Sequence, residues 1–428
     1  MAARAETTLA GPEHAALRRL ARAIHRRFPV APLHDFDALQ AALLESRGFR
    51  RLFAAPDASD AFGRSEAWDA ATPDAVRLLR IPVFTTAMHP QATAAVPLDT
   101  PGALADFLGV SGTELDWLAD LQGRNERPGE REGVRHYRVV LIRGRGAGAR
   151  PRCLEVPKGR LRALQRKLLR AILDPVPVHA AATAFHSGAS VIDHAARHAG
   201  REIVVRIDLK QFFPSITRAR VEAVFAGLGY PRAVARLLAG LCTHRTRDPA
   251  VLPESRARFR VPHLPQGAPT SPALSNLVAR RLDVRLTALA ETFGATYSRY
   301  ADDLTFSGDA PLVRDRDRLV SRVFEIVCDE GFEPNPRKTL RMRAGRAQRV
   351  TGLVVNAHPN VPRAEYDRLK AILHRCCTDG AEAQNRDAHP DFRAHLLGRI
   401  AWVAATNPRR GEKLRAAFAR IDWSSPGA

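Results

Sequence analysis

The spacing of apolar residues switches repeatedly between helical and strand periods from about residue 137 to 356. RLRALQRKLLRAIL (160–173) sets Leu161, Leu164, Leu168, Leu169 and Ile172 on one face, with Arg160, Arg162, Arg166, Lys167 and Arg170 off it. That pattern predicts an amphipathic helix. Its basic side serves equally well as a solvated face or a nucleic-acid contact. HYRVVLI before it and EIVVRIDL (202–209) after it are apolar, β-branched runs that predict strands. RGRGAGARPR, following the first of these, reads as a flexible basic hairpin tip. ITRARVEAVFAGLG predicts a helix ending at Gly229. Residues 271–293 predict one long helix, with Ser271 as N-cap and Pro272 in the first turn. ATYSRYADDLTFSG (295–308) predicts two short strands around a tight turn. Another helix, a strand at RVTGLVVN and a helical C-terminal region complete the chain.

Residues 1–95 mix helical spacing (Leu17, Leu20, Ile24) with irregular stretches and carry no evident chemistry. A helical segment follows around LADFLGVSGTELDWLADLQGR, then the charged loop NERPGEREG. Interleaved strands and helices with a helical end predict an α+β fold. The divisions are 1–95, 96–357 and 358–428.

Charge adds direction to this picture. The chain's formal net charge is +21. Residues 1–100 hold 12 Arg/Lys and 11 Asp/Glu, leaving 54 basic and 34 acidic residues, a net of +20, in 101–428. A field of that sign on one part of a protein favours a polyanion, without distinguishing DNA, RNA or anionic lipid. The five cysteines are scattered and lack a CxxC pair, which argues against a disulfide framework or a cysteine zinc site and for small buried apolar residues. No apolar run reaches membrane-spanning length and the N-terminus lacks a signal-peptide core, so a cytoplasmic protein without a membrane partner is expected.

The candidate chemistry lies in three segments. Asp302 and Asp303 fall at the tight turn, where adjacent carboxylates repel and raise each other's pKa. A divalent cation relieves that cost, and phosphoryl transfer uses two such ions roughly 3.5–4 Å apart. Hard oxygen ligands suit Mg²⁺. Asp208, at the end of the apolar strand, supplies a third carboxylate. The Gly/Pro-rich segment Leu264-Pro265-Gln266-Gly267-Ala268-Pro269-Thr270-Ser271-Pro272 delivers a helix N-terminus, with backbone N–H groups for a base pair or phosphate.

Taken together, RIDLKQFFPSI, LPQGAPTSPALSN and YADD resemble the palm motifs of the reverse transcriptases, over residues about 130 to 375. The resemblance implies a right-hand polymerase: fingers, a palm whose antiparallel sheet carries Asp208, Asp302 and Asp303 on two Mg²⁺ ions, a small helical thumb and an N-terminal helical extension. It implies that Leu209, Phe213 and Gln266 face the dNTP. Phe213 would be the steric gate against a ribose 2′-hydroxyl, with core packing as the alternative; Gln266 would meet the nucleotide or its template partner. GFEPNPRKTL resembles the motif whose lysine lies near the departing pyrophosphate, so Lys338 is either its general acid or a phosphate partner. With six lysines against sixty arginines, local bias does not explain a lysine there.

FFPSI, RYADDLTFSG and RVTGLVVN resemble the retron reverse transcriptases more closely. Val350-Thr351-Gly352 matches an element tied to recognition of the cognate RNA, and His194-Ala195-Ala196-Arg197-His198 resembles a retron Asn-Ala-x-x-His motif with its Asn replaced. This implies an RNA-recognition role for His198. The His194/His198 spacing also suits zinc, but no third ligand follows. No ribonuclease H, integrase or endonuclease segment is evident. Retron membership implies a structured non-coding RNA partner, priming from an internal guanosine 2′-hydroxyl, a branched RNA–DNA product (msDNA) and antiphage defence with a separately encoded effector. The basic C-terminal region, with 12 Arg/Lys against 8 Asp/Glu in 360–428, is the candidate RNA surface. Two other readings remain: a reverse transcriptase of another defence or diversity-generating lineage with different priming, and an inactive RNA-binding scaffold.

Overall fold

The two hydrophobic periods build two compact units in the computed structural model, which describes residues 96–125, 135–142, 152–246 and 256–423. Residues 1–95, most of the NERPGEREG loop and the basic hairpin tip lie outside the described residues. Of the described residues, those up to 178, with 210–282 and 324–334, form the first unit; 179–209, 283–323 and those from 335 on form the second.

In the first unit, β1 (Tyr137–Ile142) and β2 (Arg152–Pro157) pair antiparallel, Tyr137 opposite Pro157. The helix Gly159–Leu168 buries Leu161, Leu164 and Leu168 as its spacing predicts. It then widens into a π-helical turn, Leu169–Leu173. That turn shifts the register, so Ile172 and Leu173 are buried while Leu169 is only half-buried. The helix Arg218–Gly227 stops short of Gly229, whose φ of +96° is costly for an L-residue. Deep in this unit Glu155 meets His263 at 2.8 Å, both fully buried. The expected long helix 271–293 is two helices, Ser271–Val278 and Arg280–Thr292. Ser271 is a helical residue rather than the N-cap; Thr270 takes that position, and the Ser271 hydroxyl donates to the Pro265 carbonyl at 2.7 Å.

The second unit is centred on a four-stranded antiparallel sheet in the order β4–β5–β3–β6, with β3 Ile203–Asp208, β4 Thr296–Tyr300, β5 Asp303–Gly308 and β6 Leu340–Arg343. Ile203, Val204, Val205 and Ile207 of the central β3 are all fully buried, which explains its continuous rather than alternating apolar run. RVTGLVVN is not one strand. It folds as a hairpin, β7 (Arg349–Val350) and β8 (Leu353–Val354), whose two loop residues Thr351 and Gly352 have φ of +46° and +89°. Positive φ at both positions is what a tight two-residue hairpin requires. Val350 and Leu353 pack with Ala195, Val204 and Val355.

Three helices, Arg363–Thr378, Phe392–Thr406 and Pro408–Phe418, pack Leu369, Leu373, Cys376, Leu396, Ile400, Val403, Leu414 and Phe418 into one apolar cluster. Of the cysteines, only Cys242 and Cys376 are buried; Cys153 is half-buried, and Cys328 and Cys377 are exposed, against the expectation of five small core residues. Among the described residues no helix is long and apolar enough to cross a membrane.

Candidate active site

Asp208 is the last residue of β3 and is the cross-strand partner of Asp303, the first residue of β5. Like charges so placed destabilise a sheet unless something neutralises them. Asp302 lies one residue before, in the two-residue loop joining Tyr300 of β4 to Asp303. The Leu209 N–H donates to the Asp302 carbonyl at 2.9 Å, tying the strand end to the loop. The sheet thus places the three predicted residues at one end of the β3–β5 ladder.

Two cations of the chain already face them. Lys338 Nζ donates to Asp208 Oδ1 at 3.0 Å, and Asn335 Nδ2 donates to Asp208 Oδ2 at 2.9 Å. The Asn335 backbone N–H also donates to the Asp208 carbonyl at 2.8 Å, which fixes the start of the Pro336–Lys338 turn. Arg206, two residues before Asp208 on the same strand face, grips Asp303: Nε donates to Oδ1 at 3.2 Å and Nη2 donates to Oδ2.

The carboxyl of Asp302 is pushed up to about 6, by desolvation first and the negative charge of Asp208 second. The residue is exposed, so water tempers the first cause more than the second. Burial also raises Asp303, with Arg206 opposing that rise. These are the electrostatics of a carboxylate group short of positive charge.

The donor set, three hard carboxylates, fits divalent cations; desolvation first and the charge of Asp208 second hold Asp302 above its ordinary range. Among the described residues no three acidic, His or Cys side chains are drawn together as a closed ligand set. Asp208 and Asp303 are instead turned onto Lys338 and Arg206.

The loop has a buried support that sequence reasoning missed. Arg299 and Asp283 are both fully buried and form a bidentate pair, Nε to Oδ1 at 2.8 Å and Nη2 to Oδ2 at 2.6 Å. The Tyr297 hydroxyl donates to Asp283 Oδ1 at 2.9 Å. The remaining reach of the guanidinium, Nη1, donates to the Ala301 carbonyl at 3.2 Å. Ala301 has a φ of +57°, costly for an L-residue, and Arg299 holds it there. The legible signal was an arginine inside a strand otherwise bound for the core. Arg206 and Asn335 were also missed; both flank predicted residues.

The other predicted residues have these settings. Phe213 begins a short 3-10 turn in the first unit; Phe212 fills the core, and Phe213 is half-exposed, meeting it edge-on at 5.6 Å. Gln266, also in the first unit, accepts from the Glu155 N–H through its carbonyl at 2.9 Å, leaving its side chain half-buried. Gly267 beside it has a φ of +133°, and a Cβ there would come within 3.1 Å of the Glu155 carbonyl oxygen. Val350 is buried, whereas Thr351 and Gly352 form the hairpin tip. His198 is a correction: it is fully buried, bonded through Nδ1 to Ser307 at 2.8 Å and Nε2 to Ser298 at 2.6 Å. Its ring ties β4 to β5 and offers no surface to RNA. His194, equally buried, bonds Thr183 at 2.7 Å.

Comparison with known proteins gives the family. Residues 145–363 match the reverse transcriptase (RNA-dependent DNA polymerase) family. The retron Mx65 reverse transcriptase of Myxococcus xanthus is 46% identical over 288 residues, covering 66% of this chain and 64% of that protein. The retron Mx162 reverse transcriptase of the same organism is 36% identical over 361 residues, covering 79% and 70%. The retron Ec86 reverse transcriptase of Escherichia coli is 30% identical over 290 residues, covering 67% and 81%. This chain is therefore a member of the reverse transcriptase family and, within it, of the retron reverse transcriptases.

Proposed function

We propose that this chain is an RNA-directed DNA polymerase that copies its own structured non-coding RNA into a branched RNA–DNA product. The observation that carries the reading is the apposition of Asp208 with Asp303 beside the Asp302 loop. In this reading residues 96–357 are fingers and palm, the sheet carrying the aspartates is the palm, 358–428 are a helical thumb and 1–95 an extension of unknown role.

Asp208, Asp302 and Asp303 would hold two Mg²⁺ ions. When bound, these supply Lewis-acid charge that activates the attacking hydroxyl and stabilises the pyrophosphate leaving group. The rest falls to the chain. Asp208 releases the Lys338 ammonium, which is then free to give a proton to the departing pyrophosphate oxygen. The backbone at Leu209 and the side chain of Gln266 orient the dNTP. The Phe213 ring excludes a 2′-hydroxyl by occupying its space. Arg299 keeps the Asp302 loop in its strained form throughout, so the carboxylates are positioned before substrate arrives.

Retron membership leads to the finer reading proposed here, that synthesis is primed from an internal guanosine 2′-hydroxyl of the cognate RNA. The Thr351–Gly352 tip and the basic C-terminal helices are the proposed RNA contacts, and a separately encoded effector completes an antiphage system working in the cytoplasm. Extraction of nucleic acid from cells expressing the gene with its flanking sequence tests this. The expected product is DNA joined to RNA through a 2′–5′ branch. DNA joined only through a 3′-hydroxyl or a protein side chain contradicts it, and points to another reverse-transcriptase lineage.

A further inference from the structure

Phe185 has an unusual mounting in the second unit. The segment before it runs beside β4. The Arg299 N–H donates to the Ala181 carbonyl at 2.7 Å, the Thr183 N–H donates to the Arg299 carbonyl at 2.9 Å, and the Thr183 hydroxyl donates to that same carbonyl at 3.0 Å. Ala181, Ala182, Thr183 and Ala184 are all buried. The next residue, Phe185, then turns the chain at a φ of +65° and presents its side chain 40% exposed. A left-handed conformation is costly for a bulky L-residue, and Gly or Asn would adopt it readily. The ring centroid lies 6.3 Å from that of Tyr300, tilted by 47°. Tyr300 itself packs on His194 at 5.5 Å. Two residues after Tyr300 comes Asp302.

A strained backbone that delivers an exposed aromatic ring on a rigid strand edge is a poor arrangement for stability and a good one for contact. Aromatic rings so placed stack nucleobases of any sequence. We propose that Phe185, seated against Tyr300, is a stacking platform for the primer base next to the reacting hydroxyl, and so positions the primer end rather than taking part in the chemistry. This rests on the polymerase reading above, because it presumes a primer end beside Asp302.

The test uses the full chain with a primer–template carrying 2-aminopurine at the primer 3′ position. Fluorescence reports stacking, anisotropy reports affinity and thermal melting reports the fold. The wild type should quench the probe, and Phe185→Tyr should preserve both quenching and affinity. Phe185→Gly should lose the quenching and bind primer–template about tenfold more weakly, the loss of one base–aromatic stack. It should melt close to wild type, because the relieved turn offsets the packing lost with the partly buried ring. Phe185→Leu, which keeps apolar bulk, should melt like wild type and still fail to quench.

Wild-type quenching and affinity in Phe185→Gly would overturn the proposal. So would a lowered melting temperature in Phe185→Gly accompanied by full quenching in Phe185→Leu, which would make the side chain a packing element. Primer extension by the wild type, run in parallel, separates the two readings: no extension sinks the polymerase assignment, whereas extension with an unstacked probe sinks only the role of Phe185.

Discussion

Asp208 and Asp303 face each other across the final rung of the β3–β5 ladder, and each is gripped by a different cation, Lys338 for the first and Arg206 for the second. Two carboxylates in that register are unfavourable alone. The chain tolerates them by bringing its own positive charge to one side of each, and Asp302 has the weakest compensation of the three, with a carboxyl raised to about 6. That asymmetry is the physical basis for expecting cation binding here rather than a plain structural ion-pair network.

Lys338 is about two-thirds exposed and bonded to Asp208 at 3.0 Å. If its ammonium is the acid that protonates pyrophosphate, Lys338→Gln should lower the single-turnover rate of nucleotide addition about a hundredfold while changing dNTP affinity far less. A loss confined to affinity would reassign it to phosphate pairing.

Phe213 stands half-exposed while its neighbour Phe212 takes the core position. Phe213→Ala should therefore raise ribonucleotide incorporation relative to dNTPs by an order of magnitude or more with little loss of melting temperature. Competition assays with matched rNTP and dNTP read the ratio directly, and an unchanged ratio removes the gate.

Removing Arg299 alone leaves Asp283 buried without its counter-ion. Arg299→Met should cost about 3–5 kcal/mol of stability, and Arg299→Met with Asp283→Leu should recover most of it. Denaturant unfolding measures both. The double variant should still polymerise poorly, because nothing then holds the Ala301 carbonyl and its left-handed φ.

Burial holds His198 near a pKa of about 3 and His194 near about 4, with neighbouring positive charge adding to the shift. Both lie below the ordinary value of 6.5, so the unfolded chain binds protons first as pH falls. The stability these neutral rings permit is complete above about pH 6.5 and declines as pH drops toward 3, by about 2 kcal/mol per histidine at pH 5. Melting curves at pH 7.5 and 5 should show this fall, and His198→Asn should remove about half of the part due to these two rings.

Much of this was legible in the residues. The placing of Asp208 at a strand end and of Asp302 and Asp303 beside a tight turn was readable from the apolar runs around them, and the role expected of them came from the resemblance to the reverse transcriptases. The sheet's apolar core was readable from the unbroken run Ile203–Ile207. What stayed hidden were relationships between distant positions. Asp283 on a helix looks like a solvated charge until the fold buries it against Arg299. His198, expected to meet RNA, is spent on Ser298 and Ser307, which lie about a hundred residues away in sequence. RVTGLVVN carried the apolar content of a strand, and only the positive φ of Thr351 and Gly352 makes it a hairpin. The break at Ala279 in the expected long helix likewise has no Gly or Pro to announce it.

The most direct measurement is primer extension over a Mg²⁺ titration by wild type and Asp302→Asn, with RNA affinity measured on the same preparations. Wild-type extension should rise and saturate with Mg²⁺, while Asp302→Asn should fall about a thousandfold and bind RNA as before. Extension by Asp302→Asn at the wild-type rate, or loss of RNA binding together with extension, would contradict the account.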